Sequence, residues 1–294
     1  MLSPVNAAHK SKPTVKQTCL LVFPIIWLAL YFCLMPSPLS LLAERWPLIL
    51  TGLAGAFIAS LSAIGGGFVF IPVMIFVYHL PALVALKIAL ASQAFGMTTG
   101  AIGWLGKTPI CKRTLVSAIP GLLSGATTST FLIHPSPLTV KGIFGAVSII
   151  LGLLVALSTF RKTSDQSESI NSKWALPVSL VAFVGGLISG WVAIGAGELV
   201  AALLILAAGI KGRTSIATGV LLLAISSIYL TIVHQFVLGG IPWDYAWFTI
   251  LGCIYGASLA PIAGRIVGER KLKLTFATIA ILDGCLFLYQ FVGH

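Results

Sequence analysis

The chain has 294 residues, of which 58% are hydrophobic and only 9% are charged. An ordinary soluble domain carries about 25% charged residues, so a soluble enzyme, a disordered chain and a secreted disulfide scaffold are excluded. A polytopic membrane protein is expected instead. The net charge of +11 sits in short loops beside apolar runs, where it reads as an orientation signal, and no nucleic-acid partner is expected. Cys19, Cys33, Cys111, Cys253 and Cys285 form no CxxC pair and read as small apolar residues, so neither a metal nor a cofactor is expected.

In chain order, residues 1–46 predict a cytoplasmic basic tail with Lys10, Lys12 and Lys16, then an extra N-terminal transmembrane helix over 18–42. Pro36 and Pro38 interrupt that run. It is long enough to cross about 30 Å of hydrocarbon, and without an A-x-A site it reads as a retained helix. The first repeat is expected over 47–160, with apolar runs at 47–64, 68–80, 82–106, 114–133 and 139–160. The polar stretch 161–173 predicts a cytoplasmic linker. The second repeat, 174–294, has runs at 175–194, 198–210, 214–238, 244–264 and 272–292.

The halves share more than hydropathy. Residues 55–67 align with 185–197 and keep Gly55/Gly185, Gly65/Gly195, Gly67/Gly197, Ala63/Ala193 and Ile64/Ile194. Gly121-Leu-Leu-Ser-Gly-Ala126 aligns with Gly252-Cys-Ile-Tyr-Gly-Ala257. Two matches in the same order predict an internal repeat.

Charge sets the expected topology. With the N-terminus in the cytoplasm, the inner loops hold Lys10, Lys12, Lys16, Lys107, Lys112, Arg113, Arg161, Lys162, Lys173, Lys211, Arg213, Arg265, Arg270, Lys271 and Lys273. Only Arg45, Lys87 and Lys141 fall outside. Equivalent loops carry opposite charge: 107–113 is basic whereas 238–244 has no Lys or Arg, and 133–138 has none whereas 265–273 is rich in them. The repeats are therefore expected to be inverted. The expected fold is an all-α polytopic membrane protein of two inverted-topology repeats with glycine-broken short or re-entrant helices, plus the N-terminal helix. The C-terminus is then periplasmic or extracellular, and a bacterial inner membrane is the expected location.

The glycine runs are the sharpest local signals. Gly65-Gly-Gly67 precedes Phe68, and Gly195-Ala196-Gly197 precedes Glu198. Glycines this dense weaken a helix by roughly 1 kcal/mol each relative to Ala. The runs after them, of about 13 residues, would be roughly 20 Å long and too short to cross. Each break followed by a helix frees N–H groups at a positive dipole end. Two such ends related by inversion predict a site for a small anion bound by backbone amides. Close helix packing is the other reading of such glycines, and it suits Gly52, Gly186 and Gly190 better.

The Ile64–Gly67 run with Phe68-Val-Phe-Ile-Pro72, the Ala89-Leu-Ala-Ser92 stretch and the partial second copy at 194–198 resemble the sulfite exporter TauE/SafE family of membrane permeases. The resemblance covers about residues 47–292. It implies two half-repeats and transport of sulfite, sulfonates or related small anions. The second copy departs from the pattern at Ala196, Glu198 and Ala202.

Glu198 and Asp283 are the two acids inside predicted passes. An ionised group there costs at least about 2.5–3.5 kcal/mol, so each is a candidate for ion coupling. Glu198 also reads as an N-terminal carboxylate favoured by the helix dipole, and Asp283 as an interhelical hydrogen-bonding group. Ser92 and Gln93 are candidate substrate ligands, because a mid-membrane Gln needs a partner. His234, Trp243, Tyr245 and Trp247 read as interfacial residues.

The leading expectation is a secondary transporter of a small anion such as sulfite, a sulfonate or a related organic acid. It would work by alternating access with H⁺ or Na⁺ as coupling ion. A passive anion channel is the alternative. An intramembrane enzyme finds no support, because HExxH and Gly-x-Ser-Gly are absent, and an ATP-driven pump would need the missing GxxxxGK[ST] loop. The expected partners are the anionic substrate and the lipid bilayer, with a homodimer as an admissible assembly.

Overall fold

The computed structural model describes residues 15–62, 65–105, 107–160, 167–267 and 269–292. Lys10 and Lys12 of the tail, Ala63 and Ile64 of the first repeated motif, and Arg161 and Lys162 of the linker lie outside the described residues. The helices are α1 (Val15–Leu34), α2 (Pro38–Arg45), α3 (Pro47–Ser62), α4 (Gly67–Pro72), α5 (Ala82–Trp104), α6 (Lys112–Phe131) and α7 (Pro137–Phe160). They continue with α8 (Ala175–Val192), α9 (Glu198–Leu206), α10 (Gly212–Phe236), α11 (Trp243–Val267) and α12 (Glu269–Val292). A π-helical turn, Val73–Val77, extends α4. Among the described residues there is no strand, only an isolated bridge between Ser167 and Ile210.

Proline and glycine set the boundaries as their backbone chemistry requires. Pro38, Pro47 and Pro137 open helices, where a missing N–H is no loss. Gly209, Gly239 and Gly240 take positive φ just after α9 and α10, the left-handed conformation that ends a helix. Pro72 closes α4 and the π turn follows, as expected where the i→i−4 ladder is interrupted.

Four helical spans among the described residues are long and apolar enough to cross a bilayer: Ala82–Trp104, Pro137–Phe160, Ser172–Val192 and Gly212–Phe236. The pair Pro38–Arg45 and Pro47–Leu61 passes as one unit bent by 56°. By contrast, α9 has nine residues, or about 14 Å of helix, and Gly67–Val77 is also short. Exposed apolar side chains form stripes at helical spacing: Leu176, Leu180 and Val184 on α8, and Ile228, Ile232 and Phe236 on α10. A bilayer covers such faces at no desolvation cost. The fold is an all-α polytopic membrane protein.

The packing has a two-fold pattern. α3 packs on α11 and α8 on α6, while α5 pairs with α10 and α7 with α12. Exchanging α3–α7 for α8–α12 in order maps this set onto itself. The pattern holds at single residues. Gly121 and Gly125 of α6 lie against the backbone carbonyls of Ser179 and Phe183, and Gly252 and Gly256 of α11 lie against those of Ile49 and Leu53. Ser179 and Ile49 each stand six residues before one of the aligned glycines, Gly185 and Gly55. Across α7 and α12, Gly145 lies against Gly284 and Leu288, and Gly284 lies against Gly145 and Ile149. Glycine is needed here because two helix backbones touch.

Cationic loops gather. Lys211 pairs with Glu168 at 2.7 Å, and Arg113 donates to the Ile170 carbonyl at 3.4 Å. These contacts join the start of α6 and the loops before α8 and α10. Elsewhere Arg45 pairs with Asp244 and lies 3.7 Å over the Tyr245 ring, and Lys87 donates to the Leu238 carbonyl at 2.6 Å.

Two of the residues read as interfacial are buried inside the protein. Trp247 is buried, stacks on Trp27 at 4.2 Å, and its carbonyl accepts from the Trp27 indole. The aromatic side chains of α1 seat that helix on α11. His234 is also buried, near the end of α10, and neither ring nitrogen has a partner among the described residues. Gln235 beside it takes the capping role, its Oε1 accepting from the Ile241 amide and the Trp243 indole.

Candidate functional site

The two glycine breaks meet at the centre of the bundle, where α4 rests on α5 and α9 on α10. In the first break the chain runs from α3 through Gly65 and Gly66 into α4. The Gly66 carbonyl then accepts from the Val69 and Phe70 amides at 2.9 and 3.0 Å. In the second break α8 ends at Val192 and Ala193 turns left-handed at φ 53°, an uncommon conformation for a residue with a Cβ. Gly195 follows at φ 104°, which side chains strongly disfavour. Then α9 begins, with the Ala201 amide donating to the Gly197 carbonyl at 2.8 Å. The breaks touch: a methyl group on Gly67 would stand 2.7 Å from Ile194 and 2.8 Å from the Ala193 carbonyl.

Amides of the two breaks converge, and the Glu198 carboxylate fills the cradle they form. The Gly65 N–H donates to Glu198 Oε1 at 2.6 Å. The Gly195 and Gly197 N–H groups donate to Oε2 at 3.0 Å each. Glu198 thus binds the first break to the second. Its side chain is buried, with 4% of the residue exposed. Burial of an unpaired carboxylate is strongly unfavourable, and three amide donors plus the N-terminal dipole of α9 offset that cost. Residues 65–68 and 192–198 are all buried, so the cradle is closed to solvent.

Gln93 reaches the same place from α5. Its Nε2 donates to the Ala193 carbonyl at 2.8 Å, which holds the left-handed turn. Its Oε1 has no partner among the described residues, and the residue is 1% exposed. A methyl group on Gly65 would stand 2.7 Å from Glu198 Oε1, 3.2 Å from Gln93 Oε1 and 3.3 Å from the Ala193 carbonyl. The two side-chain oxygens therefore border one small space.

The other predicted residues divide. Gly66 lies under the Phe70 ring, 2.5 Å from where a Cβ would be. Ala196 is buried with Val200 and Leu223. Phe68 packs in the core, its ring 6.1 Å from that of Phe144. Ser92 turns to α11, where its hydroxyl shares a 2.5 Å hydrogen bond with Thr249. Asp283 lies half-buried on α12 beside Gly284, and among the described residues no hydrogen bond or ion pair joins it to the cradle.

Sequence reasoning found the amides but missed their occupant. The signal was Glu198 standing where the first copy has Phe68. Nothing in the sequence pointed from Gln93 to Ala193, because the two meet only through tertiary packing.

The model of the family described as "Sulfite exporter TauE/SafE" matches residues 48–286. A protein of Bacillus subtilis (strain 168) described as "Probable membrane transporter protein YunE" is 24% identical over 269 residues, covering 83% of this chain and 97% of that protein. No solved structure matches the chain. With a match that takes in both glycine breaks and nearly all of α3–α12, the chain belongs to the sulfite exporter TauE/SafE family of membrane proteins.

Proposed function

We propose that this membrane transporter moves a small anion, such as sulfite, a sulfonate or a related organic acid, by alternating access coupled to H⁺ or Na⁺. The observation that carries the reading is the cradle. Three N–H groups from two glycine breaks converge on one anionic group in a closed, buried site. A set of amides that holds a carboxylate presents the donors that an oxyanion needs. The closed cradle favours alternating access over an open anion channel, and the family description favours transport over intramembrane catalysis.

The two-fold packing of α3–α7 on α8–α12 supports two repeats, and the opposite charge of equivalent loops supports their inversion. In this reading the N-terminus and the basic loops face the cytoplasm of a bacterial cell and the C-terminus faces out. Asp283 is a second candidate coupling group.

Uptake into liposomes is the functional test. Sulfite, thiosulfate and sulfonates are expected to enter faster when a proton or Na⁺ gradient is imposed. Flux indifferent to both gradients would contradict coupling. Topology is tested separately by single cysteines introduced at positions 110 and 240 in the cell. An impermeant thiol reagent is expected to label 240 from outside and 110 only after lysis; labelling of both from one side would contradict inversion.

A further inference from the structure

We infer that Glu198 is a tethered competitor for the anion site, released when its carboxylate takes up a proton, and that Gln93 Oε1 accepts the hydrogen bond of the resulting carboxyl O–H. The inference rests on the proposed anion-binding role of the cradle and adds how its occupancy is controlled.

The geometry sets the problem. The Gly65, Gly195 and Gly197 amides are already engaged by the Glu198 carboxylate. The same three donors cannot serve a second anion while that carboxylate remains. Two negative groups side by side in a buried site also repel, which disfavours both being charged together. An incoming anion therefore needs the Glu198 charge to be neutralised or moved away.

The structure contains the group that neutralisation needs. Gln93 Oε1 is a buried acceptor without a partner among the described residues, and it borders the same space as Glu198 Oε1. Both oxygens lie within 3.2 Å of the point where a Cβ on Gly65 would stand. A proton from water added to Glu198 Oε1 makes a neutral carboxylic acid whose O–H donates to Gln93 Oε1. One O–H bond forms, one buried charge disappears, and an orphan acceptor is satisfied. A neutral acid is a poorer acceptor than a carboxylate, so the three amides become available to the arriving anion. The Gln93 Nε2 bond to the Ala193 carbonyl fixes the orientation of Oε1 throughout.

Among the described residues no other charge is bonded to Glu198. The helices packed against α9 carry Lys141 on α7 and Arg213, Tyr229 and His234 on α10, and α8 has no titratable side chain. Lys87 lies on α5 with Gln93. Among the described residues none of these forms an ion pair or hydrogen bond with Glu198.

The test is calorimetric binding of sulfate and ethanesulfonate to the purified full-length protein between pH 5.5 and 8, in buffers of different ionisation enthalpy. Neither anion titrates in that range. For the wild-type protein we expect about one proton taken up per anion bound where Glu198 is ionised. Affinity should then fall by up to about tenfold per pH unit as pH rises. For Glu198→Gln we expect binding with no proton uptake and a flat pH profile. Binding by the wild type without proton uptake overturns the inference and leaves the cradle as an anion site. Proton uptake that persists in Glu198→Gln also overturns it. If the wild type binds neither these anions nor sulfite or thiosulfate at any pH, the underlying reading of the cradle fails, and this inference with it. The wild-type measurement alone decides the matter if the variant does not fold.

Discussion

Replacing Gly195 with valine is expected to abolish anion uptake while leaving the protein in the membrane. Gly195 has φ 104°, a backbone conformation that a β-branched residue essentially cannot adopt. The chain must therefore rotate at this residue, and its N–H is one of the three donors in the cradle. A lost hydrogen bond to a charged group is worth about 1.5–3 kcal/mol, roughly 10- to 150-fold in affinity. The rotation also shifts Gly197 and the start of α9, so a second donor is disturbed. The expected fall in uptake is about a hundredfold or more. Gly212→Ala is the matched control: a Cβ there meets nothing within 4 Å, and uptake should be unchanged. Full uptake by Gly195→Val in correctly inserted protein would contradict a site built from backbone amides.

Gly125→Leu and Gly256→Leu are expected to destabilise the protein to similar degrees. The two glycines lie on different helices, α6 and α11, far apart in sequence. Each sits against a backbone carbonyl of its partner helix, Phe183 for Gly125 and Leu53 for Gly256. Even a methyl group must push the helices apart. Overpacking of this kind costs about 1–3 kcal/mol, and leucine more. The alanine variants should show comparable, smaller losses, read as lowered midpoints of thermal unfolding in detergent. A large loss at one glycine and none at its counterpart would contradict the two-fold packing.

Much of this fold was legible in the sequence because a bilayer simplifies the code. Apolar runs had to become helices, since no other element satisfies its own backbone in lipid. Proline and glycine then marked their ends, as at Pro47, Pro137 and Gly209. The short helices after the glycine runs followed from counting residues. What stayed hidden was partner choice. Trp247 has the composition of an interfacial residue, yet it is buried because α1 brings Trp27 onto it. The Gly121 and Gly252 motifs are alike in sequence, while the carbonyls they touch lie in other segments.

The site was legible to a similar depth. Dense glycines announced free amides, and those of Gly65, Gly195 and Gly197 do converge. Glu198 was visible as a costly charge and as a residue at a helix start. That its side chain turns back to fill the cradle depends on Gly65, 133 residues away in sequence. Such a contact leaves no periodicity to read.

The central claim is that a small anion is held by the amides of both glycine breaks. The most direct measurement is an anomalous-diffraction structure of the protein soaked with selenate, a heavy-atom analogue of sulfur oxyanions. The expected result is a selenium peak with oxygens within hydrogen-bond distance of the Gly65, Gly195 and Gly197 nitrogens, with the Glu198 side chain displaced from them. A peak found only at the basic loops around Lys112 and Arg113, with Glu198 still in the cradle, would contradict it.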